Sequence, residues 1–150
     1  VNKIRKLFTL DKKTLFIFIE AFFYLGWARI LISRPFAKVA PSLGASMEET
    51  SDIQPHMTKL QLIQVHDAIH IVSEHTFWES KCLVRAIAAL KMLERRSIES
   101  TLYLGTAKDE SRKMVAHAWL RSGPFYITGA EGRERFAVVG KFAKHISEKG

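Results

Sequence analysis

An α+β fold is expected of this chain: a central helix packed on an antiparallel sheet, preceded by an N-terminal helical region. Three observations predict it. Apolar residues recur at helical spacing from Leu15 to about Arg96, and from Ser100 onward the pattern changes to short alternating runs separated by turns containing Gly and Pro. The two regimes follow one another instead of interleaving, as in folds that segregate helices from sheet. The third is bulk composition. With 150 residues, 47% apolar and 25% charged, the chain can bury one core, has no room for two, and is neither a disordered tail nor a collagen-like repeat.

The first helix is read from Leu15 to Ile32, LFIFIEAFFYLGWARILI, behind Lys3, Arg5, Lys6, Lys12 and Lys13. Glu20 and Arg29 interrupt it nine residues apart, about half a turn around a helix, so one polar face does not hide both and no membrane span is expected. No small-x-small cleavage site follows, since Ala40 precedes Pro41 and Lys38 stands two residues before it. The expectation is a helix buried against the domain or a partner, with a membrane-surface helix as the alternative. Arg34-Pro35-Phe36 ends it. Residues 41–56, PSLGASMEETSDIQPH, read as a linker. The chain thus divides into residues 1–56, apolar helix and linker, and residues 57–150, one compact core.

Within that core, Leu62, Val65, Ile69 and Val72 recur at helical spacing between Met57 and His75, with Leu60, Ile63, Ala68 and Ile71 beside them. Ser80 suits the N-cap of the next helix, SKCLVRAIAALKMLERR, whose inner stripe is Cys82, Ala86, Ala89, Leu90 and Leu93. Arg95 and Arg96 suit its carboxyl end. Strands are expected over Ser100–Gly105, Met114–Arg121, Phe125–Thr128 and Phe136–Phe142, joined as an antiparallel meander. In Met114–Arg121, Val115, His117 and Trp119 share one face, and Met114, Ala116, Ala118 and Leu120 the other.

A single cysteine excludes an internal disulfide and a Cys-rich zinc site, and points to a cytoplasmic protein. The net charge of +8 is uneven: nine basic residues face seven acidic ones in residues 1–75, and fourteen face eight in residues 76–150. Such a surface suits anionic partners, yet no zinc-finger spacing, basic zipper or RNA-recognition aromatics appear. No P-loop, GxGxxG or GxSxG motif occurs. His66 and His70 stand at i, i+4, a spacing that can bind zinc, but Asp67 replaces the usual Glu and no third ligand follows, so no metal is expected.

Cys82 is the candidate nucleophile. Counted from a Ser80 cap it occupies the second helical position, where unpaired N–H groups and the helix dipole favour a thiolate. The bland alternative is a small buried residue on the helix stripe. His117, beyond one helix and one strand, is the candidate general acid/base, and the Cys82 backbone N–H a candidate oxyanion donor. Trp78 could wall the cleft, Trp119 could shield the imidazole, and Arg85, one turn after Cys82, could meet an acidic substrate group.

The string Cys82-Leu83-Val84-Arg85-Ala86, Leu90, Leu93, Glu94-Arg95-Arg96, Leu102-Tyr103-Leu104-Gly105 and Ala116-His117-Ala118-Trp119-Leu120 resembles the transglutaminase-like cysteine peptidases that remove leader peptides in bacterial lasso-peptide biosynthesis. The Leu/Phe-rich helix ending in Arg34-Pro35-Phe36 is similar to their amino-terminal region. The resemblance implies a transglutaminase-like, papain-like core, with Cys82 as nucleophile and His117 as general acid/base. That family places an aspartate on the strand after the histidine; here the strand is Phe125-Tyr126-Ile127-Thr128-Gly129, without an acid. A tight hairpin at Ser122-Gly123 would pair Thr128 opposite His117. Thr128, Glu131 in the following loop, or a backbone carbonyl is then the third member.

The resemblance further implies the free-standing peptidase half of a split system, since the chain has no room for an additional recognition domain. A separate leader-recognition protein would deliver the precursor peptide, with the apolar helix and basic face as candidate docking surfaces. After cleavage an ATP-dependent macrolactam cyclase would close the ring. No cofactor or metal, and no nucleic acid, is implied for the cleavage step. The competing readings are a basic nucleic-acid- or membrane-surface-binding module with a structural Cys82, and an acyltransferase on the same fold.

Overall fold

The computed structural model describes residues 12–52, 58–76 and 81–146. Its first helix, α1 (Lys12–Leu31), packs through Ala21, Leu25 and Ala28, all fully buried. Two alanines flanking one leucine let its axis approach the helices beneath closely. Glu20 is held at that interface: its carboxylate accepts from Arg95 at 2.8 Å and from Arg96 at 2.6 Å. The expected burial therefore applies to one side of α1, while Phe16, Phe23 and Ile30 on the other side face outward. The chain turns at Arg34, and Pro35 opens α2 (Phe36–Leu43), as the Arg-Pro-Phe sequence led one to expect.

Of the stretch read as a linker, residues 41–52 are built into the fold, and 53–56 lie outside the described residues. Pro41, Ser42 and Leu43 belong to α2, and Ala45–Ser46 forms β1, an edge strand. Thr50 is buried, its hydroxyl 2.6 Å from that of Thr101. The anchor is Arg121. Its guanidinium donates to Tyr103 Oη at 3.0 Å and to the carbonyls of Thr50 at 2.9 Å, Ser51 at 3.2 Å and Gly123 at 2.7 Å. A Pro/Gly/Ser-rich composition signals irregular backbone, but a distant guanidinium can still fix it.

Two further helices form one layer with α1. The α3 helix (Lys59–Ser73) buries Leu62, Val65, Ala68 and Ile69, so its inner stripe matches the spacing, and Leu60 and Ile63 face solvent. The α4 helix (Cys82–Arg95) buries Val84, Ala86 through Leu90, Met92 and Leu93. Burial on nearly every side marks α4 as the central helix, with α1 and α3 against one flank and the sheet against the other.

The sheet has five strands in the order β1-β5-β2-β3-β4, all pairs antiparallel: β2 (Ser100–Lys108), β3 (Met114–Ser122), β4 (Phe125–Thr128) and β5 (Ala137–Lys144). The expected meander holds for β2-β3-β4 only. The chain then crosses back through a 3-10 turn, Arg133–Arg135, and β5 pairs with the far edge of β2. Gly105 permits the crossing, because a Cβ there would lie 2.8 Å from Phe136 Cβ and 2.9 Å from the Trp119 ring. Leu102, Ala118, Leu120, Ile127 and Phe142 join the helical core, whereas Tyr103 and Trp119 are buried on the opposite face.

Candidate active site

Cys82 opens α4. The N-cap is Lys81, with extended backbone angles, and Arg85 N–H donates to Lys81 O at 3.0 Å, so Cys82 is the first helical residue and not the second. Ser80, the expected cap, and Trp78 lie outside the described residues. Lys81 makes no side-chain cap. The amides of Cys82, Leu83 and Val84 therefore have no acceptor within the helix, and their dipoles point at the position a thiolate or oxyanion would occupy. The thiol is free, half-buried and packed against the core.

His117 lies on β3, opposite Gly105 on β2. The expected alternation is observed. His117 belongs to the row of Trp119, and that row is turned away from α4, whereas Cys82 packs against the core on the α4 side; among the described residues no hydrogen bond joins the two. Its ring stacks on Trp119 at 5.7 Å between centroids and leans on Phe136 at 5.0 Å. Trp119 in turn stacks on Tyr103 at 5.5 Å. This aromatic file restricts the imidazole to few orientations.

From the turn, Ser122 pairs with Phe125 and Arg121 with Tyr126, a register shift follows, and Leu120 with Thr128 is the last β3–β4 pair. Beyond that pair β4 has ended, so on the side away from β2 a loop and not a strand lies beside His117. There His117 Nε2 lies 2.8 Å from the Gly129 carbonyl. A carbonyl only accepts, so Nε2 carries the proton and Nδ1 carries the lone pair. The neutral ring is thus held in the tautomer that presents Nδ1 as a base.

Thr128 does not pair opposite His117. The turn falls at Gly123-Pro124 and not at Ser122-Gly123, and the register shift adds one residue more, so Thr128 stands against Leu120 on the core face. Its Oγ1 is buried without a hydrogen-bond partner. Glu131 is exposed and makes no hydrogen bond or ion pair among the described residues. The group that touches the imidazole is the Gly129 carbonyl. Sequence carries little signal for a carbonyl; the available one was Gly129 itself, which adopts φ +69° and whose missing Cβ would lie 2.4 Å from Ala118 O.

The first turns of α4 lie at the same end of the sheet as this carbonyl. Lys144 on β5 meets Glu94 at 3.4 Å, and Lys144 pairs with Ser100, so the carboxyl end of α4 sits where β2 begins. At the other end, Arg85 acts electrostatically on His70, whose Nε2 lies 3.3 Å from Ile127 O, two residues before Gly129. Burial, then His66, pushes the His70 pKa below its ordinary value; the Ile127 carbonyl opposes this, and Arg85 lowers it further. The rings of His66 and His70 are 4.2 Å apart, but among the described residues no group of three or more His, Cys, Asp or Glu gathers to hold a metal. Arg85 Nε is buried without a partner, and Arg85 was foreseen only as a substrate contact.

The class this architecture defines is an α+β domain in which a cysteine begins the central helix and a histidine stands on the antiparallel sheet beside it in sequence order. A family model described as the transglutaminase-like superfamily matches residues 22–141. The chain belongs to that superfamily. Comparison with curated proteins and with solved structures gave no match.

Proposed function

We propose that this protein is a cysteine peptidase that removes the leader from a lasso-peptide precursor, with Cys82 as nucleophile and His117 as general acid/base. The observation that carries the reading is the bond from His117 Nε2 to the Gly129 carbonyl, which leaves the lone pair on Nδ1. Superfamily membership over most of the chain supports the chemistry, and the Cys-Leu-x-Arg-Ala and Ala-His-Ala-Trp sequences support the substrate.

In this mechanism the His117 ring must leave its place on the face turned away from α4 for Nδ1 to take the thiol proton, and the sulfur then attacks the carbonyl of the last leader residue. The Cys82 amide donates to the resulting oxyanion. The imidazolium returns its proton to the departing nitrogen, which becomes the amino terminus of the core peptide. Water, deprotonated by the same Nδ1, then hydrolyses the thioester and releases the leader. The neutral Gly129 carbonyl takes the place of a carboxylate: it fixes the tautomer, but stabilises the imidazolium less than a charge would. A separate recognition protein presents the precursor, and an ATP-dependent cyclase uses the freed amine, both on the cytoplasmic side.

Mass spectrometry of precursor peptide incubated with this chain and its recognition protein tests the reading. Cleavage lost in both Cys82→Ala and His117→Ala supports it. Cleavage that survives Cys82→Ala overturns it in favour of a binding module, and a product heavier than the hydrolysed fragments would reveal acyl transfer to an amine.

A further inference from the structure

We propose that the outward face of α1 binds the surface of an anionic membrane, lying on it and not crossing it. This face exposes a row of large apolar side chains. Phe16, Phe23 and Ile30 are 74%, 69% and 68% exposed, and Ile19 and Trp27 stand beside them. At 100° per residue these five share an arc of about 80°, a continuous stripe along a helix roughly 30 Å long. An open groove of 540 Å³ runs along it, lined by Phe16, Ile19, Phe23, Tyr24 and Trp27 together with the ion-paired Glu20 and Arg95.

Charge selects the occupant. Lys12 and Lys13 are exposed at one end of the stripe, and Arg34 and Lys38 follow its other end; Arg29, also exposed, stands about 120° around the helix from the centre of the stripe. The only acid between residues 12 and 47 is Glu20. Its side chain is 8% exposed and already neutralised by Arg95 and Arg96. Apolar side chains framed by cations and free of outward acids match the interface of a bilayer bearing anionic headgroups. A second copy of this chain fits poorly, because either antiparallel or parallel pairing of two such faces brings cations together without a carboxylate to receive them.

The same geometry decides between lying on the membrane and spanning it. By length and composition α1 is long and apolar enough to cross. Crossing would strip Ala21, Leu25 and Ala28 from the core and leave Glu20 without its two arginines. Shallow insertion of the outward stripe breaks none of these contacts.

Co-sedimentation of the full chain with phosphatidylcholine vesicles, with and without phosphatidylglycerol, tests the proposal independently of peptidase activity. Binding is expected only to the anionic vesicles and should weaken with added salt. Phe16→Ser/Phe23→Ser/Ile30→Ser should weaken it by at least about tenfold, since each side chain contributes well over 1 kcal/mol when fully buried. Lys12→Glu/Lys13→Glu/Arg29→Glu should abolish the preference for phosphatidylglycerol. All six positions are exposed, and retained far-ultraviolet circular dichroism checks the fold. Absence of binding to anionic vesicles, or binding unchanged in both variants, overturns the proposal. So does an outcome in which the stripe instead holds a dimer, or the recognition protein, and no vesicle.

Discussion

His117 donates through Nε2 to the carbonyl of Gly129 at 2.8 Å, twelve residues along the chain and just past the end of β4. The relationship depends on a backbone atom, so substitution of any side chain at residue 128 or 131 leaves the acceptor in place. It also sets the imidazole's basic nitrogen free.

If Nδ1 accepts the Cys82 proton, the thiol reacts as one coupled to a base. Alkylation by iodoacetamide at neutral pH should be slower in His117→Ala than in the parent. Equal rates in both proteins would mean that the two groups do not communicate.

Gly129→Ala probes the carbonyl. At φ +69°, with the new Cβ 2.4 Å from Ala118 O and 2.9 Å from Trp119 Cβ, the loop must move. A destabilisation of about 2 kcal/mol is expected from the strain, together with a loss in kcat larger than any change in KM. Thr128→Val, which removes a hydroxyl that has no partner, should be neutral or slightly stabilising by urea denaturation.

Glu20 joins α1 to the carboxyl end of α4. Glu20→Ala leaves Arg96 partly buried without its acceptor, and about 2–3 kcal/mol of stability should be lost. Glu20→Gln should lose less, because an amide oxygen still accepts. The measurement is the denaturation midpoint of the three proteins; equal midpoints would show that the pair contributes nothing.

Stability should fall in mild acid through His70. Its folded pKa lies below its ordinary 6.5, chiefly because of burial and then His66. As pH drops below about 6.5 the unfolded chain takes up a proton that the folded chain refuses, so folding loses free energy until the folded pKa is passed. Above that window both states are neutral and the group contributes no slope. His70→Gln should flatten the dependence below about pH 6.5 relative to the parent; an unchanged slope would place the titration elsewhere.

Much of the architecture was legible because periodicity is local. The alternation of Val115, His117 and Trp119 against Ala116, Ala118 and Leu120 fixes which residues share a face before any contact is known. The break at Arg34-Pro35-Phe36 follows from proline sterics alone. Within residues 41–52, read as part of a linker, composition met a distant partner: the Thr50 and Ser51 carbonyls are held by Arg121, about seventy residues away. The return of β5 to β2 was likewise outside local reach, since it depends on the space that Gly105 leaves for Phe136.

The sequence by itself determined the helical and extended segments, the single thiol and the faces on which Cys82 and His117 stand, because each depends on residue chemistry and spacing within one element. Only the tertiary structure decided what touches the imidazole. A register shift of one hairpin moved Thr128 to the core side and brought the Gly129 carbonyl to Nε2. Register is set by how whole strands pack, and a backbone oxygen has no letter in the sequence.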